Sequence, residues 1–174
     1  MGRARVSRRT ADPADASSHG TARVWTPADL AAYEGPLLLD THVWIWHLEG
    51  DETRFAKGTS ALLDRSGAQG RLFVCDISWW EVAVKAAKGK LQFSMDAAFW
   101  LRRAERAPGI VPIPLSREIL LMSTRLPGQP HGDPADRMLL ATAQLQRAPL
   151  VTVDEEIIAY ARRQRGIPVC DARA

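Results

Sequence analysis

Short, continuous apolar runs alternate along this chain with segments of helical period. Leu37 to Asp40 opens on three leucines, as expected of a strand covered on both faces. Arg71 to Asp76, containing Leu72-Phe73-Val74-Cys75, is a second such run, and Leu150 to Val153 is another. Ile110 to Pro114 reads as a strand whose prolines favour an edge or a terminus. Pro168 to Cys170 is a short last strand. Helices are predicted over Thr41 to Leu48, Glu52 to Ser66, Ser78 to about Lys88, and Met95 to Ala107. Others run from Ser116 to about Leu126, Pro134 to Gln146, and Glu155 to Arg165. Small apolar residues at Met138, Leu139, Ala141, Ala143 and Leu145 make the Pro134 helix a buried one. This alternation predicts an α/β fold: three layers, with a central, mostly parallel sheet of four to five short strands flanked by helices.

Residues 1–35 read differently from the rest. Met1 to Ala22 is rich in Arg, Ser, Ala, Asp and Gly and has no amphipathic period, so the segment is expected to be disordered or weakly held. Thr26-Pro27-Ala28-Asp29 looks like a capped turn, with Thr26 as N-cap and Pro27 at the first helical position. The domain proper is expected over residues 36–174.

Composition narrows the class. A chain of 174 residues that is 46% apolar, with six tryptophans, has material for one domain with a sizeable core. No apolar run approaches the ~20 residues that span a bilayer, and the N-terminus lacks a secretory apolar region. Cys75 and Cys170 have no paired-ligand spacing and read as buried, reduced thiols, so a cytoplasmic protein is expected. A net charge of +3 and a pI of about 9.2 mildly favour a polyanionic partner. The candidate basic clusters are Lys85, Lys88 and Lys90, then Arg102, Arg103 and Arg106, then Arg162, Arg163 and Arg165; each also reads as a solvated face.

Four carboxylates carry the candidate chemistry. Asp40 and Asp154 follow apolar runs, where parallel strands end and ligands bind. Glu81 and Asp136 fall in the first turns of predicted helices that start from the same edge. Four converging acids repel one another, and a hard divalent cation with oxygen ligands relieves this. With no other cofactor signal, that suggests phosphodiester chemistry. Each acid also has a plainer reading. Asp40 and Asp154 could be helix N-caps. Glu81, three residues after Ser78, could complete a capping box. Asp136 could merely favour the helix dipole, and Asp133, before Pro134, is well placed to cap that helix. Thr41 could bond a neighbouring group, and Thr152 could orient a water or be an ordinary strand residue.

The order Leu-Leu-Leu-Asp-Thr from Leu37, Ile-Ser-Trp-Trp-Glu-Val-Ala-Val-Lys from Ile77, His-Gly-Asp-Pro-Ala-Asp-Arg-Met-Leu-Leu-Ala-Thr-Ala from His131, and Leu-Val-Thr-Val-Asp from Leu150 resembles the PIN domain. It is more closely similar to the VapC toxin branch of type II toxin–antitoxin systems, over about residues 36–171. The resemblance implies a PIN-like three-layer domain in which Asp40, Glu81, Asp136 and Asp154 bind Mg²⁺ or Mn²⁺ and cleave RNA. It gives Asp133 a supporting role beside Thr41 and Thr152. It also implies a cognate VapB-like antitoxin, pairing of the domain with itself, and products with a 5′-phosphate and a 3′-hydroxyl.

Trp79 and Trp80 read as packing residues, His131 as a loop histidine, and His42 and His47 as core or surface residues rather than ligands of a hard cation. Arg137 could pair with an acid or meet a phosphate. Trp44, Trp46, Phe55, Trp100 and Leu62-Leu63 read as core, or as apolar surface for a partner. Two rival classes remain. A phosphatase with Asp40 as nucleophile wants an acid two residues later, where His42 stands. A PIN-like protein that binds RNA or a partner without turnover keeps the acids but not cleavage.

Overall fold

A computed structural model describes residues 24–174 apart from Gln129 and His131. In chain order the helices and strands are β1 (Val24–Trp25), β2 (Leu37–Leu39), α1 (Thr41–Glu49), α2 (Lys57–Ala68), β3 (Leu72–Cys75), α3 (Asp76–Ala87), α4 (Ala97–Glu105), β4 (Ile110–Ile113), α5 (Arg117–Ser123), α6 (Pro134–Gln146), β5 (Leu150–Thr152), α7 (Glu155–Arg163) and β6 (Val169–Asp171).

The six strands form one all-parallel sheet in the order β1-β6-β5-β2-β3-β4.

Side chains alternate across this sheet with period two, so one leucine run feeds both faces. Leu37 and Leu39 join Leu72, Val74, Val151 and Cys170 in a core closed by Trp44 of α1, Leu62 and Leu63 of α2, Val82 of α3 and Trp100 of α4. Leu38 points the other way, with Cys75, Leu150 and Val169, into a core closed by Leu139, Leu140 and Ala143 of α6 and by Ile157, Ile158 and Ala161 of α7. Both faces are therefore covered, as a purely parallel sheet requires. Trp44 packs against Trp79 and Trp100 at ring-centroid separations of 4.5 and 5.2 Å, and Trp46 meets Phe55 at 6.0 Å. The core reading of the aromatic residues near α1 thus holds. Cys75 and Cys170 are free and buried, and burial pushes both thiols above their ordinary range. Among the described residues no helix is long and apolar enough to cross a membrane.

Five expectations need correction. The sheet has six strands rather than four to five, because Val24–Trp25 pairs in parallel with Val169 and Cys170. The segment expected to be weakly held over 1–35 divides in two: residues 1–23 lie outside the described residues, and the remainder is packed. Leu30 is buried at 1% exposure and Trp25 leans on the same core, so a boundary at 36 cuts away a strand and a core leucine. Its turn is capped reciprocally, as read: Thr26 N donates to Asp29 Oδ2 at 2.8 Å, and Asp29 N to Thr26 Oγ1 at 3.3 Å.

The helix expected over 52–66 is broken into a 3-10 turn, Glu52–Arg54, and α2. Phe55 and Ala56 are extended at the break, where Ala56 N donates to Ala172 O at 2.8 Å. Helix α3 begins at Asp76, two residues before Ser78, because β3 passes into it without a loop. Trp79 packs in the core, but Trp80 is 59% exposed and is not a packing residue.

The order of strands explains where a site belongs. From β2 the chain moves outward through β3 to β4, then returns to β5 on the other side of β2. The carboxyl ends of β2 and β5 therefore flank the point where the winding reverses, the crevice in which open α/β sheets bind ligands. Asp40 directly follows β2, and Thr152 and Asp154 end and follow β5.

Candidate active site

Asp40 occupies the N-cap position of α1, yet its side chain makes no capping hydrogen bond. Register explains what it does instead. Leu38 faces Leu150 and Leu39 faces Val151, so the next residues along, Asp40 and Thr152, lie side by side. Thr152 Oγ1 donates to Asp40 Oδ2 at 2.5 Å and accepts from Asp154 N at 3.0 Å. One hydroxyl thus fixes the spacing of two of the expected acids. Asp40 is only 4% exposed. Burial pushes its carboxyl above the usual range; Thr152 and the charge of His42 act against this, while Glu81 and Asp154 raise it further.

Glu81 approaches from α3. Because that helix starts at Asp76, Ser78 lies inside its first turn and Glu81 in its second, so the capping-box reading fails. Thr41 Oγ1 lies 2.6 Å from Glu81 Oε2 and 2.9 Å from Ser78 Oγ. A hydroxyl carries one proton; the carboxylate is the stronger acceptor, so Thr41 donates to Glu81 and Ser78 donates to Thr41. Thr41 and Ser78 are fully buried, and Glu81 is 9% exposed. Lys85, one turn further along α3, pairs with Glu81 Oε1 at 3.1 Å.

The remaining acids are held by helix ends. Asp154 is the N-cap of α7, as its plainer reading has it: Oδ1 accepts from Glu156 N at 2.8 Å and from Ile157 N at 3.0 Å. Asp133 caps α6, with Oδ1 accepting from Ala135 N at 2.8 Å. Asp136 is the third residue of α6, half-buried in its first turn. Glu81 and Asp154 are carboxylates whose charge raises the pKa of Asp40. Arg137 follows Asp136, half-buried, and His131 lies outside the described residues. His47 is pushed below its ordinary range by burial, with the charge of Asp64 acting against this.

The structure therefore sets Glu81 and Asp154 within electrostatic reach of Asp40, with Thr152 joining Asp40 to the Asp154 backbone and Thr41 holding Glu81, and places Asp136 and Asp133 at the start of the neighbouring α6. Three contributors escaped the sequence reading as members of the site: Ser78, His42 and Lys85. The last had a legible signal, since Lys85 stands four residues after Glu81, the spacing of a helical ion pair.

The donor set is all oxygen, carboxylates backed by hydroxyls, which suits a hard divalent cation better than a soft one. The repulsion that Glu81 and Asp154 exert on the buried Asp40 carboxylate is what such a cation offsets. Among the described residues, no three His, Cys, Asp or Glu side chains are gathered as a metal-holding group. Hydroxyls, backbone N–H groups and an ammonium engage the carboxylates instead.

Comparison with known proteins finds relatives of this chain. The family model described as PIN domain matches residues 37–163. Ribonuclease VapC22 of Mycobacterium tuberculosis (strain ATCC 25618 / H37Rv) is 32% identical over 136 residues, which is 76% of this chain and 97% of that protein. A solved structure described as a toxin-antitoxin complex from Klebsiella pneumoniae aligns with a TM-score of 0.46 at 21% identity, over 71% of this chain and 90% of the other.

Proposed function

The chain belongs to the PIN-domain family, and from that premise we propose that it is a divalent-metal-dependent endoribonuclease, the toxin of a toxin–antitoxin pair. The observation that carries the reading is the buried Asp40 carboxylate at the winding reversal of the sheet, charged against Glu81 and Asp154. The similarity to a protein named as a ribonuclease supports RNA as the substrate.

Asp40, Glu81, Asp136 and Asp154 are the residues that would hold Mg²⁺ or Mn²⁺. A divalent cation held there would supply Lewis acidity, making water a better nucleophile near neutral pH and offsetting charge on the leaving oxygen. The protein's own residues do the rest. Thr152 holds the Asp40 carboxylate in place, and Thr41, backed by Ser78, holds that of Glu81. A carboxylate orients the attacking water, so no histidine base is required. Asp133 supports the site by capping α6, which carries Asp136. A VapB-like antitoxin is the expected partner. The exposed Trp80, Leu120 and Leu121 supply apolar surface that a homodimer would cover.

Thermal melting tests the metal assignment. Saturating Mn²⁺ should raise the wild-type melting temperature, because the ion binds only the assembled acids. At a hundredfold excess over Kd the gain is about 2.7 kcal/mol, or roughly 5–10 °C for a chain of this size. The shift should shrink in Glu81→Gln and in Asp154→Asn, where Asn can still cap α7. Equal shifts in wild type and both variants would mean that the ion binds elsewhere.

A further inference from the structure

We propose that Lys85 is the resident counter-ion of Glu81 and competes with the divalent cation for that carboxylate, thereby setting the protein's metal affinity. The inference rests on the proposed role of Glu81 as a metal ligand. Both Glu81 oxygens are already engaged: Oε1 by the Lys85 ammonium at 3.1 Å, and Oε2 by the Thr41 hydroxyl at 2.6 Å. The Lys85 Nζ also lies 3.5 Å from His42 Nε2, in the first turn of α1. The ammonium therefore sits between two side chains that border Asp40, rather than on an open helix face.

Burial separates this pair from an ordinary surface ion pair. The Glu81 side chain is 11% exposed and the Lys85 side chain 30%. The carboxylate cannot turn to water for a replacement partner, so the ammonium matters to it. The lysine keeps a path to solvent and has a flexible four-carbon stem on which to leave. A divalent ion bound to a carboxylate oxygen stands about 2.1 Å from it. With Lys85 in place, the ion and the ammonium would repel each other across a single carboxylate. Occupation of Glu81 by one cation therefore weakens its hold on the other. Without the divalent ion, Lys85 offsets the charge of Glu81 beside Asp40 and keeps its carboxylate aimed along α3.

This role has a signature that a merely structural ion pair lacks: removing the ammonium moves apo stability and metal affinity in opposite directions. Calorimetric titration of MnCl₂ into the full chain, with apo melting curves, reads both. Lys85→Met should melt below wild type, because it leaves a buried carboxylate without its counter-ion. It should nevertheless bind Mn²⁺ about three- to thirtyfold more tightly, since one like charge has gone. Lys85→Arg should restore wild-type values of both. If Lys85→Met does not fold, Lys85→Gln carries the same expectation. Glu81→Gln is the control for the underlying reading and should weaken binding. Weakened binding in Glu81→Gln with unchanged or weaker binding in the Lys85 variant overturns the competition alone. Unchanged binding in Glu81→Gln overturns the competition together with the assignment of Glu81 as a ligand.

Discussion

Asp40→Asn is expected to melt higher than wild type in the absence of metal, and to cleave RNA at least about a hundredfold more slowly. The two effects share one cause. Burial, with Glu81 and Asp154 adding to it, raises the Asp40 carboxyl above its ordinary value of 3.8. The folded protein then holds that proton more tightly than the unfolded chain. The group's favourable contribution is present below 3.8 and is lost as pH rises through the folded value, so at neutral pH the ionised Asp40 opposes folding. Asn removes the charge and keeps an amide oxygen for Thr152. A gain of 1 kcal/mol corresponds to ~2–4 °C in a chain of this size, and the advantage should vanish near pH 3.5. The loss of cleavage follows from the same carboxylate: removing a partner outside the metal shell already costs ~10–100-fold, so removing a ligand costs more. Melting curves from pH 3.5 to 8 and a cleavage assay on the same preparations check both halves. A variant that cleaves at the wild-type rate would remove Asp40 from the site.

Growth arrest on free expression should be relieved by Asp136→Ala and largely retained in Asp133→Ala. Asp136 sits in the first turn of a helix whose Leu139, Leu140, Ala141, Thr142 and Ala143 are all buried, so its backbone is rigidly held. Alanine there removes a carboxylate without touching that face. Asp133 contributes a cap to Ala135 N, and its loss should cost ~1 kcal/mol of stability with most activity kept. The comparison is growth and RNA cleavage at matched soluble protein. An inactive Asp133→Ala beside an active Asp136→Ala would reverse the roles assigned to the two acids.

The parts of this architecture that local physics determines were legible from residues. Buried parallel strands need no polar face, so Leu37-Leu38-Leu39 and Leu150-Val151-Thr152 stand out as apolar runs, and the acids after them mark the sheet's carboxyl edge. Asp133-Pro134 combines a capping side chain with a first-turn proline, and α6 spans Pro134–Gln146 as expected. What was missed depends on distant partners. Val24-Trp25 is too short to declare itself, and becomes a strand only because β6 lies beside it. The break at Phe55 and Ala56 depends on Trp46 and on Ala172 O, more than a hundred residues later. The shift of α3 to Asp76 put Ser78 inside the helix and turned its hydroxyl toward Thr41, a contact between residues 37 apart. Lys85 looked like part of a solvated basic cluster because nothing in the local sequence shows that Glu81 is nearly buried.

The most direct measurement is cleavage of a defined RNA by the purified protein, first stripped of metal with EDTA and then supplied with Mg²⁺ or Mn²⁺, with the product ends identified. No cleavage is expected after EDTA, with recovery on adding either ion and products carrying a 5′-phosphate and a 3′-hydroxyl. Undiminished cleavage in EDTA, or 2′,3′-cyclic phosphate ends, would contradict the proposed function.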